Sequence, residues 1–352
     1  MQSNSFLLYG AYGYTGELIA RYAAQYNLQP VLAGRRETAL AALAGRLQLP
    51  YVVLDLDNAP ALQEALRQVK VVVHAAGPYD FTARQMVEAC LQTGTHYLDL
   101  NGDVDIFEMI RESDAAARAA GIMLLPGAGF DVVPTDCLAL FLKKALPAAT
   151  TLQLAFAIPG STLSHGTAIN TLQKLGDPGA ARINGAIVRE PVGKKGMWVD
   201  FGVKKMFTFS LPWGDVATAF YSTGIPNIRS YTTIPLPVWW LMKVQFLFNW
   251  LLRRPWLRNF LKKQVKRRPA GPDDNMRSRA VSLVWGRVTA PGGQTVTARL
   301  RTPEAYDVTA YAVLHITRKI LEGQFTAGYQ TPASAYGENL VTELPNVHRE
   351  LV

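Results

Sequence analysis

The glycine spacing of residues 10–16 is typical of a loop that binds the phosphates of a dinucleotide. The sequence Gly-Ala-Tyr-Gly-Tyr-Thr-Gly directly follows the apolar run 6–9 and precedes the helical pattern 17–25. The first glycine permits a tight turn, the second lets backbone approach the pyrophosphate, and the third lets the helix pack closely on the sheet. Amides at the helix N-terminus would then face the phosphates. The predicted contacts are Gly10, Tyr12, Gly13, Tyr14, Thr15 and Gly16.

The end of the second predicted strand indicates which dinucleotide binds. The apolar run 30–33 ends in Gly34-Arg35-Arg36. An enzyme that prefers NAD usually carries an acidic residue here, which accepts from the ribose 2′-hydroxyl. Guanidinium groups pair well with a phosphate dianion, so Arg35 and Arg36 favour the 2′-phosphate of NADP. The alternative is that the arginines are ordinary solvated surface charge.

The composition is that of a chain with two sizeable cores. It has 352 residues, of which 49% are hydrophobic. The first predicted strand begins within the first six residues, so no signal peptide is expected. Two cysteines, Cys90 and Cys137, and five scattered histidines show neither a disulfide framework nor metal-ligand spacing. We therefore predict no metal site and a reducing, cytoplasmic location.

The first 135 residues alternate between strand-like and helix-like patterns. The strand runs are nearly all apolar, as expected for strands covered on both faces. The predicted fold class is α/β, a Rossmann-type doubly wound parallel sheet. Strands are predicted at 5–9, 30–33, 51–55, 70–75, 96–100 and 121–125. Helices are predicted at 15–26, 37–47, 59–68, 81–93 and 105–120.

Beyond residue 150 the pattern changes to that of a second, α+β domain with an antiparallel sheet. Residues 152–158 alternate in polarity, and the runs 280–289 and 294–301 are joined by a Pro-Gly-Gly turn. A long helix is predicted at 308–322. The predicted regions are an NADP-binding domain at 1–135, a substrate or dimerisation domain at 136–330 with a basic aromatic insertion at 237–268, and a tail at 331–352 that returns to the first domain.

Chemistry in a parallel sheet of this kind lies beyond the carboxyl ends of the strands. Asp55 follows the third predicted strand and could accept from the adenine amino group, and a strand-end cap explains it equally well. Ala76, Gly77 and Pro78 follow the fourth strand. This small, rigid stretch could pass close to the nicotinamide ribose or form a plain turn.

Three residues near these strand ends are candidate proton donors. Tyr79 and Asp103 follow the fourth and fifth strands. The loop 126–136 carries two glycines, two prolines and two acids, which suggests a fixed turn over the cofactor. Asp131 in this loop is a further catalytic candidate, and helix N-capping is the competing interpretation for it and for Asp136.

Residues 237–268 carry nine Lys or Arg residues, equal to the net charge of +9 of the whole chain, and four of its seven tryptophans. An apolar first part precedes a basic part with aromatic residues at helical spacing, which suits a helix lying on a membrane surface. A transmembrane span is disfavoured, because the apolar run is short and polar residues interrupt it. No nucleic-acid fold signature accompanies the cations, so no nucleic-acid partner is predicted. The competing interpretation is a helical pair that packs on the protein or on a second subunit of a homodimer.

Several motifs together resemble the saccharopine dehydrogenase-like NADP-binding family. The resemblance is strongest to the branch that contains the trans-acting enoyl reductases of bacterial polyketide and glycolipid pathways. It covers both ends of the chain and most of the first domain, and it implies an NADP-binding fold. The matching stretches are 10–16, 33–35, 75–79, 97–103, 129–136, 166–167 and 328–337.

The predicted activity is NADPH-dependent reduction of an apolar α,β-unsaturated acyl or lipid-linked substrate, with an acyl carrier as a candidate partner. A donor near Tyr79, Asp103 or the pair Ser164 and His165 would polarise the carbonyl or supply the α-proton. Two other functions stay open: a carbonyl or imine reductase acting on a small metabolite, and a membrane-associated NADPH-binding protein without turnover. The expected location is cytoplasmic, peripheral on the inner face of the membrane.

Overall fold

The computed structural model describes residues 4–352, apart from the side chain of residue 241. In chain order the strands are β1 Ser5–Tyr9, β2 Gln29–Gly34, β3 Tyr51–Val53, β4 Val71–His74, β5 His96–Asp99, β6 Met123–Leu125, β7 Thr151–Ala157, β8 Gly179–Ile183, β9 Ala186–Glu190, β10 Gly196–Asp200, β11 Lys205–Leu211, β12 Asn227–Thr233, β13 Val281–Thr289, β14 Thr295–Pro303, β15 Gly328–Tyr329 and β16 His348–Leu351. The helices are α1 Tyr14–Tyr22, α2 Glu37–Leu47, α3 Ala59–Arg67, α4 Tyr79–Thr93, α5 Val104–Arg111, α6 Asp114–Ala119, α7 Val133–Ala145, α8 His165–Gln173, α9 Asp215–Thr223, α10 Leu236–Lys243, α11 Asn249–Leu252, α12 Pro255–Val265, α13 Asp274–Arg279, α14 Ala305–Leu321 and α15 Pro332–Tyr336.

The chain divides into two compact units, and the first comprises the residues up to Val133 together with Tyr306–Tyr336. Its strands form one parallel sheet in the order β15-β6-β5-β4-β1-β2-β3. The strand order reverses between β1 and β4, which is the topological switch point where sheets of this type bind ligands. The predicted Rossmann-type doubly wound sheet is therefore confirmed.

The central strands of this sheet are apolar because both of their faces are covered. Phe6, Leu7 and Leu8 of β1 are at most 1% exposed, and the three valines at 71–73 of β4 are fully buried. Continuous burial of this kind removes the in–out alternation seen in half-exposed strands. Polar side chains in the first unit consequently emerge where the strands end.

The second unit comprises Pro134–Ala305 and Gly337–Val352. Its sheet has the order β10-β11-β12-β7-β13-β14-β16, with β8 paired to β12 and β9 paired to β8. The pair β7–β12 is parallel, and the other pairs are antiparallel. The predicted second domain with an antiparallel sheet is confirmed in class.

The division between the units differs from the predicted one after residue 305. The long helix α14 was predicted in the second domain but belongs to the first unit, where Tyr22 of α1 stacks on Tyr311 and donates to Asp307 Oδ1 over 2.9 Å. The predicted returning tail, 331–352, is split at Tyr336. Its last strand, β16, pairs with β14 because that edge of the second sheet still has free backbone groups.

The basic aromatic insertion forms several short helices. It contains α10, a 3-10 turn at Gln245–Leu247, α11 and α12. A proline at the first position of α12 begins that helix, where its missing N–H costs nothing. Among the helices described, none is both long enough and apolar enough to cross a bilayer.

Candidate functional site

The first glycine of the loop lies at the switch point of the parallel sheet. Gly10 has φ +86°, and its N–H donates to Ala33 O over 2.8 Å. A Cβ here would lie 2.8 Å from the carbonyl carbon of Ala75, beyond the end of β4. Both the left-handed backbone and the close approach of β4 therefore require glycine.

The next two glycines shape the N-terminus of α1. Gly13 is the N-cap residue, its N–H donates to Gly10 O over 2.9 Å, and its carbonyl accepts from Glu17 N over 2.8 Å. A Cβ on Gly16 would lie 2.9 Å from Ala11 Cα. Because the N-cap residue is a glycine, no capping side chain accepts from the first amides of the helix. These amides can therefore donate to an anion.

A tyrosine and two arginines lie where β2 ends. The Arg36 guanidinium stacks over the Tyr12 ring at 4.5 Å from its centroid, and Arg35 is exposed. Gly34 makes room for that ring, because a Cβ there would lie 2.7 Å from Tyr12 Cε1. This cationic corner beside the glycine loop fits a dinucleotide with an extra phosphate.

Asp55 closes a turn after β3. Its Oδ1 accepts from the Asp57 amide over 3.2 Å, and its carbonyl accepts from Asn58 N over 3.1 Å. The strand-end cap therefore describes its contacts, and the adenine contact stays a prediction. Nearby, burial raises the pKa of Tyr9 to about 12, so that phenol is neutral.

The stretch 76–78 is held by Thr82 in the first turn of α4. Thr82 Oγ1 lies 3.0 Å from Ala76 O, 3.2 Å from Pro78 O and 2.9 Å from His74 Nε2. The Gly77–Pro78 peptide is cis. Burial lowers the pKa of His74 to about 3, so this histidine is neutral and acts as a fixed polar support.

Tyr79 is half-buried at the start of α4, and its hydroxyl donates to His74 O over 3.2 Å. Burial raises its pKa well above the usual value, and the carboxyls of Asp99 and Asp131 add to the rise. Tyr79 therefore keeps its proton at neutral pH. Its electrostatic coupling to Asp131 brings these two predicted residues into one site.

Asp99, at the end of β5, holds the neighbouring loops of the site in place, and we did not predict this role. It is fully buried and accepts from Gly127 N over 2.8 Å, Asn101 N over 2.9 Å and Tyr97 Oη over 2.7 Å. Burial raises its pKa to about 6, against the lowering effect of these hydrogen bonds. An acid ending an otherwise apolar strand is the sequence signal that could have identified it.

The loop after β6 is fixed from two sides. Ala128 N donates to Asp99 O over 2.8 Å, and Phe130 N donates to Thr309 Oγ1 over 3.0 Å. A Cβ at Gly129 would lie 2.7 Å from Thr309 Cγ2, so glycine is needed for this approach. The predicted fixed turn is present. Its contact with Thr309 on α14 could not be predicted, because no sequence pattern near the loop indicates it.

Asp131 lies at the end of this fixed loop and is half-buried. Burial raises the pKa of its carboxyl to about 7. Its Oδ2 lies against Gly102, where a Cβ would be 2.7 Å away. Helix α7 begins at Val133, so Asp131 is not its N-cap, and Asp136 lies in the first turn rather than at the cap. The capping interpretation was therefore wrong for both residues, because the helix starts before the apolar pattern that suggested it.

The remaining predicted donors serve local structure. Asp103 caps α5, since its Oδ1 accepts from Asp105 N over 3.0 Å. Ser164 and His165 lie in the second unit. Ser164 caps α8 by accepting from Thr167 N over 3.2 Å, and His165 Nε2 lies 2.8 Å from a backbone carbonyl. Their catalytic roles stay predictions.

A parallel sheet of this order, with a glycine loop at its switch point, defines the first unit as a dinucleotide-binding domain. Residues 6–125 match the family model described as the saccharopine dehydrogenase NADP binding domain. Within the first unit these residues match that family model, and the cofactor type of the unit is NADP. The predicted resemblance and the predicted cofactor are both confirmed.

Curated relatives match part of the chain. A saccharopine dehydrogenase-like oxidoreductase of Mus musculus is 25% identical over 201 residues, 50% of this chain and 47% of that protein. A trans-acting enoyl reductase of Mycobacterium ulcerans (strain Agy99) is 33% identical over 144 residues, 37% of this chain and 33% of that protein. A lipid droplet localized protein of Caenorhabditis elegans is 27% identical over 158 residues, 41% of this chain and 37% of that protein. The chain spans less than half the length of each relative.

The fold of nearly the whole chain resembles that of a solved structure. The apo saccharopine dehydrogenase (L-Glu forming) of Saccharomyces cerevisiae superposes with a TM-score of 0.68, covering 99% of this chain and 100% of that one. The sequence identity is 14%, so this likeness concerns the fold alone.

Proposed function

We propose that this chain is an NADPH-dependent reductase in which Asp131 is the proton donor. The observation that carries the proposal is a half-buried carboxyl with a pKa raised to about 7, held at the strand ends of an NADP-binding domain. A general acid works best when its pKa is near the working pH, because it is then both partly protonated and able to release the proton.

The nucleotide would be held by the residues around the switch point. The glycine loop and the amides of α1 would take the pyrophosphate, and Arg35 and Arg36 would take the 2′-phosphate. The chemistry that bound NADPH supplies is a hydride for the β-carbon of a double bond conjugated to a carbonyl.

Asp131 would deliver the matching proton to the α-carbon, which completes the saturated product. Two supports hold the donor in position: Asp99, which binds the loop amides, and Thr309, which binds Phe130 N. Tyr79 keeps its own proton, and its neutral hydroxyl adds no charge beside the carboxyl. Fixed positioning matters because a misplaced acid loses most of its effect.

An α,β-unsaturated acyl substrate is favoured by the relative named trans-acting enoyl reductase, which shares 33% identity over 144 residues. Such substrates are apolar and are presented by an acyl carrier or a lipid surface. The proposed setting is therefore the cytoplasm, peripheral to the membrane, with a homodimer as a further arrangement to be measured.

The test is NADPH oxidation with enoyl thioesters, free and carrier-bound, by the full chain. Asp131→Asn is expected to lower the rate about 100-fold without changing NADPH affinity. Glu88→Gln is the matched control, because it removes an exposed carboxylate from the same unit and should keep the rate. Full activity of Asp131→Asn would remove the proposed donor. NADPH binding without turnover of any substrate would favour the non-catalytic function.

A carbonyl or imine reductase is the second candidate. The same carboxyl could protonate a developing alkoxide or amine, since a pKa of about 7 suits those acceptors as well. Turnover of ketones or imines, with none of enoyl thioesters, would favour this function.

A further inference from the structure

The insertion exposes several large aromatic side chains. We define the aromatic face as the exposed side chains of Trp240, Phe246, Trp250, Trp256 and Phe260. Their exposed fractions are 61%, 69%, 62%, 63% and 54%. Large aromatic side chains exposed together mark an interaction surface rather than ordinary scattered exposure.

Other side chains of the insertion bind it to the rest of the second unit. Trp239 Nε1 donates to Gly193 O over 2.9 Å, and Arg258 Nη2 donates to Leu175 O over 2.6 Å. Arg258 also pairs with Asp177 at 3.1 Å. These contacts bind the insertion to the rest of the second unit, which accounts for the packing interpretation, while the side chains of the aromatic face stay exposed.

Cations share the exposed side with the aromatic residues. Three exposed residues of α12, Trp256, Phe260 and Lys263, and the exposed Arg267 just beyond its end follow one another at intervals of four, three and four residues. This spacing places them on one side of a helical path. Between Asp215 and Asp273 the sequence has no acidic residue, so the insertion itself contributes only positive charge.

We propose that the aromatic face docks on a lipid surface that carries anionic headgroups. Aromatic rings suit the depth of the headgroups, and Lys and Arg beside them attract anionic lipid. A second copy of this chain fits poorly, because a two-fold contact would bring the same cations of both copies together. The proposal extends beyond the proposed reaction, since docking requires neither NADPH nor turnover.

Docking would also orient the chain. The rings of Trp198, Phe207, Trp239 and Trp240 form a continuous series with centroid separations of 5.6, 5.0 and 5.0 Å. Trp198 on β10 is itself 59% exposed. The series links the insertion to the edge strand β10 of the second sheet, so that edge would approach the lipid together with the helices.

The experiment is co-sedimentation of the full chain with vesicles. One set contains phosphatidylcholine alone, and the other contains equal parts of phosphatidylcholine and phosphatidylglycerol. We expect binding to the anionic vesicles that weakens as salt is raised. The double variant Phe246→Ser/Trp250→Ser should bind at least about tenfold less, because each ring loses its burial in the interface.

Two controls match the variants in chemistry. Phe81→Ser replaces a phenylalanine of equal exposure, 69%, in the other unit and should leave binding unchanged. Lys263→Glu/Lys266→Glu should reduce binding to anionic vesicles, whereas Arg67→Glu/Lys70→Glu, which changes exposed cations of the first unit, should not. Circular dichroism confirms that each variant is folded.

Several results would overturn the proposal: no binding to anionic vesicles, binding that the face variants leave intact, a concentration-dependent dimer abolished by those variants, or retention on nucleic acid in place of lipid. None of these results bears on reductase activity, which is assayed separately with substrates in solution.

Discussion

Replacing Asp131 by Asn is expected to change the pH dependence of stability in a defined direction. The folded chain raises the pKa of this carboxyl from the ordinary 3.8 to about 7, because burial disfavours the charged form. Between pH 4 and 7 the folded state therefore holds a proton that the unfolded state has released. The contribution of this carboxyl to the stability of the natural protein consequently falls as pH rises through this range and levels off above 7. An Asn side chain has the shape of the protonated acid but does not ionise, so its burial does not make the stability depend on pH.

The rise in the pKa of Asp131 also sets the size of the change in stability. One pKa unit corresponds to about 1.4 kcal/mol, so a rise of about three units sets an upper limit of about 4 kcal/mol. The carboxyl is only half-buried, and water relieves part of the cost. We expect Asp131→Asn to gain about 1–3 kcal/mol relative to the natural chain between pH 4 and pH 8.

Urea unfolding of both proteins at intervals from pH 4 to pH 9 provides the measurement. Asp99 titrates in the same direction, but it is present in both proteins and cancels in their difference. Glu88→Gln removes an exposed carboxylate from the same unit and controls for the loss of a surface charge. A difference between Asp131→Asn and the natural protein that stays flat across this range would refute the raised pKa, and with it the basis for Asp131 as a proton donor.

Four further substitutions test the cofactor site and its supports. Gly10→Ala should abolish NADPH binding in a fluorescence titration, because φ +86° costs a side chain about 1–2 kcal/mol and a Cβ would meet the next strand at 2.8 Å. Arg36→Ala should reduce the preference for NADPH over NADH about tenfold, or about 1.4 kcal/mol, in the same titration. Thr309→Val should cost about 1 kcal/mol in thermal unfolding, since it removes the acceptor of Phe130 N while keeping its methyl group. Asp99→Ala should cost about 3 kcal/mol or more, because three buried donors lose their acceptor.

The parallel sheet could be predicted because its signals are local. Strands such as β1 and β4 are short apolar runs, and the glycine turn that starts at Gly10 directly follows the first of them. The cationic end of β2 likewise indicated the nucleotide from residues adjacent in sequence. Each of these features depends on neighbours within a few positions, so the sequence alone was sufficient.

The supports of the candidate site could not be predicted in the same way. Thr309 binds an amide 179 residues earlier, and no sequence pattern near either residue predicts that contact. The pKa of Asp131 depends on burial, which only the packed loop creates. Residues 306–330 were assigned to the second domain because they follow its hairpin in sequence, whereas aromatic contacts of α14 to α1 place them in the first unit.

The first unit is formed by two separate stretches of the chain, and this affects its folding during synthesis. A ribosome that has released residues up to Val133 has not yet made Tyr306–Tyr336. Until β15 arrives, the backbone edge of β6 is unpaired and the loop near Asp131 has no anchor on α14. An open strand edge is prone to pair with other chains, so the nascent first unit passes through an interval in which aggregation competes with folding. Residues 134–305 of the second unit are synthesised within that interval, and its last residues, Gly337–Val352, follow only after the nucleotide-binding unit is complete.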